Sequence, residues 1–214
     1  MTHTAPRSQP LRLRRRIVGG LAATLALPVF IRDALAQAKL RPTPAQTEGP
    51  FYPVTLPDDT DFDLLAQGKL RYTRGTATTL SGTLTDTAGR PLRGAVVEIW
   101  QCDEQGHYHH PGDGGKADPA FQGFGRAAAG SDGSYRFRTI RPVAYSGRTP
   151  HIHVKVRLAQ RELLTTQLYV EGDPGNERDG LWRRLNAADR AAITVPFQPA
   201  AEGLQARFTI VVEA

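Results

Sequence analysis

The segment Arg148-Thr149-Pro150-His151-Ile152-His153-Val154-Lys155-Val156 alternates with a period of two, so it reads as a β-strand with His151 and His153 on one face. Two imidazoles two residues apart on a strand can converge on a single metal ion while Ile152 faces the other way. Pro150 lacks a backbone donor, which suits the first residue of a strand or an edge position. Tyr108 and Tyr145 each stand close in sequence to a histidine cluster. Phenolate is a hard anionic oxygen donor and imidazole a borderline one, a combination better matched to Fe(III) than to Zn(II) or Cu(I). A bound trivalent ion would drive a phenol, which ordinarily titrates at about pH 10, to its anion. No carboxylate stands where the two-histidine, one-carboxylate arrangement of Fe(II) oxygenases would need one. Spacing alone leaves a second reading open: a surface-facing histidine pair on an edge strand, beside tyrosines that only pack.

His107, His109 and His110 surround Tyr108 in a loop and read as solvated or rim residues, their role left open. Cys102 follows Trp100-Gln101 at a strand end and reads as a buried small residue; as the only cysteine it excludes an intrachain disulfide and any multi-cysteine metal site. Ile99 and Trp100 are core candidates, and Asp113, Asp118 and Asp132 have turn contexts.

The elements that must position these residues are β-strands. Alternating or β-rich runs fall at Leu80–Asp86, Ala95–Gln101, Ser134–Ile140, the histidine strand, Leu163–Val170 and Ala206–Val212, punctuated by turn residues. The 21 glycines and 16 prolines in 214 residues agree with a turn-rich β protein. Residues 102–130 read as one long loop, of the kind that is functional or disordered. Short helical turns are expected only near Phe62–Leu65 and Asn186–Ala192. The expectation is an all-β, immunoglobulin-like β-sandwich with long site-bearing loops and little helix, large enough for a real core.

The formal charge of +6 invites a nucleic-acid reading, but the basicity is local. Six of the 27 Lys and Arg residues, and only Asp33 among the 21 acidic ones, lie in the first 38 positions, so the remainder is close to neutral and no nucleic-acid partner is implied. Residues 1–38 read as an export signal: Arg14-Arg15-Arg16, then an apolar stretch from Ile17 to Ile31 interrupted by Pro28, then small-residue cleavage patterns around Ala34–Ala38. The stretch is short for a membrane span, and its Arg-Arg-x-Ile-Val pattern resembles a twin-arginine signal, which would send a folded protein to the periplasm or beyond with no stable membrane span after processing. Residues 39–75, with Pro42, Pro44, Pro50 and Pro53, form an expected extended N-terminal arm, and 76–214 the β-sandwich domain that carries the candidate site.

Four segments in order carry a family resemblance. Glu98–Asp103 with Gly106-His107-Tyr108-His109-His110, Thr139–Tyr145 with Arg148–His153, Thr47-Glu48-Gly49-Pro50-Phe51-Tyr52-Pro53, and Leu164-Thr165-Thr166-Gln167-Leu168-Tyr169 are similar to the signature segments of the intradiol ring-cleavage dioxygenases. The resemblance implies a non-haem Fe(III) centre held by Tyr108, Tyr145, His151 and His153, with Arg148 against the substrate and Gln167 backing the site. It implies a catechol-type substrate and O2 as partners, ring opening between the two hydroxylated carbons, a muconate-type diacid product, and no organic cofactor or reductant. Tyr145 would also help take up the substrate's protons. The spacing from Tyr145 to His151 is shorter than in the best-known catechol and protocatechuate enzymes. Catechol, hydroxyquinol and protocatechuate remain open as substrates, as does a non-catalytic binding module; a homodimer is one open assembly state.

Overall fold

The computed structural model describes residues 1–3 and 39–214, and the account below concerns the unit Gln37–Ala214 from residue 39 onward. The expected export signal lies, apart from its first three residues, outside the described residues. No helix of the described residues is long and apolar enough to cross a membrane.

A small ribbon, β1 (Ala66–Gln67) and β2 (Leu70–Arg71), precedes two five-stranded sheets. The first sheet is built on β3 (Ala77–Asp86), whose Ala-Thr-Thr-Leu-Ser-Gly-Thr-Leu-Thr-Asp sequence buries every second residue. The second takes β4 (Val96–Trp100) and β5 (Phe124–Ala128), antiparallel to each other. β6 (Ser134–Ile140) returns to pair with β3. β7 (His151–Leu158) and β8 (Arg161–Val170) then complete the centre of the second sheet, with β9 (Thr194–Val195) at its edge. β10 (Gln198–Ala200), β11 (Gly203–Arg207) and β12 (Ile210–Val212) finish the first sheet, the last two running parallel to β3. The only α-helices among the described residues are α1 (Gly180–Arg183) and α2 (Ala187–Ile193). The architecture is the expected β-sandwich with little helix.

The main core lies between the sheets and includes Leu80, Leu84, Val97, Ile99, Phe137, Ile152, Val154 and Val156. A second cluster lies on the outer face of the β4–β7 pair: Trp100, Cys102, Tyr108 and Phe124, with Phe51, Tyr52, Val143 and Tyr145 packed against it. Ile99 and Trp100 therefore belong to different cores, because adjacent strand residues face opposite ways.

Two local expectations are corrected. No helix forms at Phe62–Leu65; there a chain of aspartates folds the backbone, each side chain accepting the N–H two residues on (Asp61 to Asp63 and Asp63 to Leu65), an Asx-turn geometry. Residues 102–130 are not one loop, since β5 occupies Phe124–Ala128; its Phe-Gly-Arg-Ala-Ala sequence lacks the β-branched residues that mark a strand, and pairing with β4 decides it.

The proline-rich stretch from residue 39 to 55 contains no helix. Where proline leaves a donor free, the arm bonds to the sandwich: Thr43 N–H donates to the Val211 carbonyl at 2.9 Å and Gln46 N–H to the Thr165 carbonyl at 2.9 Å. The Thr166 hydroxyl in turn donates to the Pro44 carbonyl at 2.7 Å.

Candidate metal centre

β7 is the central strand of its sheet, between β4 and β8, so the reading of an exposed histidine pair on an edge strand is overturned. His151 and His153 are 1% and 0% exposed. Both faces of β7 are covered: Ile152, Val154 and Val156 meet the main core, while His151, His153 and Lys155 meet the arm and the loops.

Register aligns the site. His153 lies opposite Trp100 on β4 and Gln167 on β8, and His151 lies opposite Tyr169. The Trp100 indole stacks on the His153 ring with centroids 4.8 Å apart and planes 9° apart, fixing that imidazole's plane. His151 Nδ1 is 2.7 Å from the Thr149 carbonyl, which can only accept, so Nδ1 carries the proton and Nε2 presents a lone pair. That Nε2 faces His153 Nε2 at 3.2 Å.

Two loops deliver the tyrosines. Asp103, fully buried, organises the first: Oδ1 accepts the N–H groups of Gln105 and His107, and Oδ2 that of Asp118. Asp113 Oδ2 accepts the Tyr108 N–H itself at 2.7 Å. The flanking histidines brace this loop: His109 Nε2 lies against the Phe121 and Asp118 carbonyls, and His110 Nδ1 accepts the Gly112 N–H at the head of the 3-10 turn Pro111–Asp113. In the second loop the turn Ser146-Gly147, both residues at positive φ (42° and 76°), closes a bridge between Tyr145 and Arg148. Two left-handed central residues are the mark of a type I′ turn. The short spacing before His151 is thus accommodated by a tight hairpin end.

The rings of Tyr108 and Tyr145 have centroids 5.0 Å apart; Tyr108 is 6.0 Å from the His153 ring and Tyr145 5.4 Å from the His151 ring. The structure therefore gathers both tyrosines and both histidines. Among the described residues no group of three or more His, Cys, Asp or Glu could hold a metal, so any ion bound here would need the phenols. The buried Tyr108 hydroxyl has no hydrogen-bond partner, and the Nε2 atoms of His151 and His153 face each other; a cation drawing on these oxygen and nitrogen lone pairs fits that donor set.

Electrostatics point the same way. Burial, then the Arg148 charge, holds His151 down at about 4, and burial, His151 and Arg148 hold His153 well below the usual imidazole range. Burial is the main force pushing the Tyr108 and Tyr145 phenols up, and Arg148 opposes it at both. Tyr145 acts on Tyr108 through its proximity, although no bond of good geometry joins the hydroxyl of Tyr108 to it. One fixed guanidinium thus favours neutral imidazole and ionised phenol, the protonation states a metal requires.

Arg148 is immobilised. Its Nε donates to Asp179 Oδ2 at 2.7 Å and its Nη2 to Gln167 Oε1 at 2.6 Å. Gln167 Nε2 donates to the Thr47 carbonyl at 2.9 Å, joining this pair to the arm. The arm then crosses the site: Gly49, at φ +74°, is so near that a Cβ there would lie 3.2 Å from His153 Cε1. Phe51 stacks on Tyr108 at 4.8 Å. Lys155, on the same face of β7 as the histidines, pairs with Glu48 and Glu162 and lies 3.9 Å from the Tyr52 ring centroid. A cleft of about 380 Å³ opens beside the site, lined by Tyr145, Arg148, Thr149, Asp173 and Arg178 among others. Cys102 is buried, and burial pushes its thiol up to about 12, in line with an inert packing role.

Asp103, Asp179, Lys155 and Tyr169 escaped the sequence reading. Tyr169 shares the face of Gln167 by strand periodicity, and Asp179 precedes a short helix whose Leu181 and Trp182 N–H groups it caps; these were the available signals.

The family described as Dioxygenase matches residues 47–213. The chain belongs to the intradiol ring-cleavage dioxygenase family. Within the family, hydroxyquinol 1,2-dioxygenase of Corynebacterium glutamicum is 33% identical over 153 residues, covering 62% of this chain and 47% of that protein. The β chain of protocatechuate 3,4-dioxygenase from Burkholderia cepacia is 38% identical over 107 residues, 44% of this chain and 45% of its own. The chain thus spans about half the length of these curated relatives. Among solved structures, the dioxygenase domain of a dioxygenase carbohydrate-binding protein fusion from Streptomyces sp. SirexAA-E superposes with a TM-score of 0.66 at 34% identity, covering 81% of this chain and 99% of that one. Intradiol dioxygenases are non-haem iron proteins, and the donor set here suits such an ion.

Proposed function

We propose that this chain is an intradiol dioxygenase that opens a catechol ring between its two hydroxylated carbons with O2, at an Fe(III) ion held by Tyr108, Tyr145, His151 and His153. The observation that carries the reading is the convergence of two buried neutral imidazoles and two phenols around one point, with the Tyr108 hydroxyl otherwise unpartnered. The ferric ion would supply Lewis acidity and electron acceptance, making a bound catecholate reactive toward O2.

The protein's own residues set the conditions for that chemistry. Tyr145, half-buried at the cleft, is placed to take a substrate hydroxyl proton on its Oη. Arg148, always charged and locked by Asp179 and Gln167, offsets negative charge developing on the substrate without having to reorganise. Gln167 holds Arg148 at one end of its amide and the arm at the other. Gly49, Phe51 and Tyr52 roof the site and keep bulk water from its inner side.

Iron-loaded protein should show a visible charge-transfer band, consume O2 with catechols and yield a product heavier by both oxygen atoms. Tyr108→Phe and Tyr145→Phe should each shift the band and lower turnover by at least about a hundredfold. A colourless protein that takes up no iron overturns the assignment. Residues 1–38 are proposed as a twin-arginine export signal ahead of an arm (39–75) and catalytic domain (76–214). Fusing residues 1–38 to a folded reporter should export it through the twin-arginine route, and Arg14→Lys combined with Arg15→Lys should stop that export.

A further inference from the structure

The geometry points to Arg178 as the residue that selects a catechol bearing an anionic substituent, by pairing with that group in the cleft beside Tyr145. This rests on the ring-cleaving reading of the same site and adds the chemical class of its substrate.

The cleft, at about 380 Å³, lies within the range of cavities that hold molecules larger than a single ring. Tyr145 and Arg148 both line it, so a molecule bound there lies against one of the four candidate donors and the cation beside it. Its charges are unequal in availability. Arg148 is committed to Asp179 and Gln167. Asp173 is also committed: Oδ1 accepts the Gly175 N–H at 2.9 Å and Oδ2 lies 3.6 Å from Arg141. Arg178, exposed and lining the same cleft, has no ion pair or side-chain hydrogen bond among the described residues. A guanidinium without a partner at the edge of a cleft is suited to two-pronged binding of a carboxylate.

The backbone that carries Arg178 is held on both sides. It lies in the 3-10 turn Asn176–Arg178, between two buried anchors. Asn176 Nδ2 donates to the Val170 carbonyl at 2.8 Å, and its Oδ1 accepts from the Thr149 hydroxyl at 2.8 Å. Asp179, next in the chain, is the residue that grips Arg148 and the Thr149 N–H. The backbone of Arg178 is therefore tied to the strand start that carries His151. Its neighbour Glu177 lines a different cleft, with Trp182 and Arg190, so the acidic side chain next to it is directed elsewhere.

The test uses the iron-loaded full chain with three probes: catechol, 3,4-dihydroxybenzoate and 3-(3,4-dihydroxyphenyl)propanoate. Wild type should favour at least one carboxylated probe over catechol, and Arg178→Gln should lower that ratio of kcat/KM values about tenfold, mainly through KM, with Arg178→Lys retaining part of it. Calorimetric binding of the same probes to wild type and Arg178→Gln reads the contact without turnover. If no catechol is opened but the carboxylated probe binds more weakly to Arg178→Gln, the ring-cleaving reading falls and the anion site stands. An unchanged ratio together with unchanged binding overturns the inference.

Discussion

The N–H of Arg148 donates to the carbonyl of Tyr145 at 2.7 Å across the two-residue turn Ser146-Gly147. This one bond couples a candidate metal-binding phenol to the cation that biases the whole cluster, so the geometry of the turn is the geometry of the site. Gly147, at φ +76° with open space around it, is required for its backbone alone. Gly147→Ala should cost about 1 kcal/mol of stability, read by chemical denaturation, while Ser146→Gly, at φ 42°, should gain a few tenths.

Asp179 should govern stability on the acid side. Burial pushes its carboxyl up, but the bonds from Arg148 and from the Trp182 and Thr149 N–H groups outweigh this and hold it below the ordinary range. Its stabilising contribution is complete above the unfolded value of about 3.9 and is lost as pH falls through the lower folded value. Asp179→Asn should destabilise by about 2–4 kcal/mol at neutral pH. The gap to wild type in denaturation midpoints should narrow as pH drops below about 4.

Lys155 should act as the latch of the arm. Its side chain is 4% exposed, with the ammonium between two half-exposed carboxylates and the Tyr52 ring. Because Glu48 remains in contact with water, Lys155→Met should cost only about 1–2 kcal/mol globally. Hydrogen exchange at Gln46 and Gly49 should nevertheless accelerate more than exchange in β7, since the arm has lost its ion pair and the strand has not. Equal acceleration in both would exclude a latch.

Gly49→Ala tests the roof directly. The added Cβ meets His153 Cε1 at 3.2 Å and imposes a positive φ on a side-chain-bearing residue. The expected result is a loss of about 1–2 kcal/mol together with weaker iron retention against a chelator, as the arm or the ring gives way.

The strand identities and the pairing of His151 with His153 on one face were legible in the sequence because period-two alternation is a local property of the chain. So was the donor chemistry, since phenol and imidazole carry their metal preferences wherever they stand. The spacing alone could not say whether that face was wet or dry. Lys155 and the histidines share an alternation that normally marks a solvent face, yet here an arm more than a hundred residues away in sequence covers it. Nor could local sequence identify Asp103 and Asp179 as the organisers of the two loops, because each works through bonds to backbone brought near only by folding. β5 went unseen for a related reason: its residues have weak strand preference, and pairing with β4 supplies what propensity does not. The sequence by itself determined which groups could hold an ion and on which strands they lie. Tertiary structure decided that they converge, dry and mutually biased by Arg148, because burial and charge are properties of position in space and not of position in the chain.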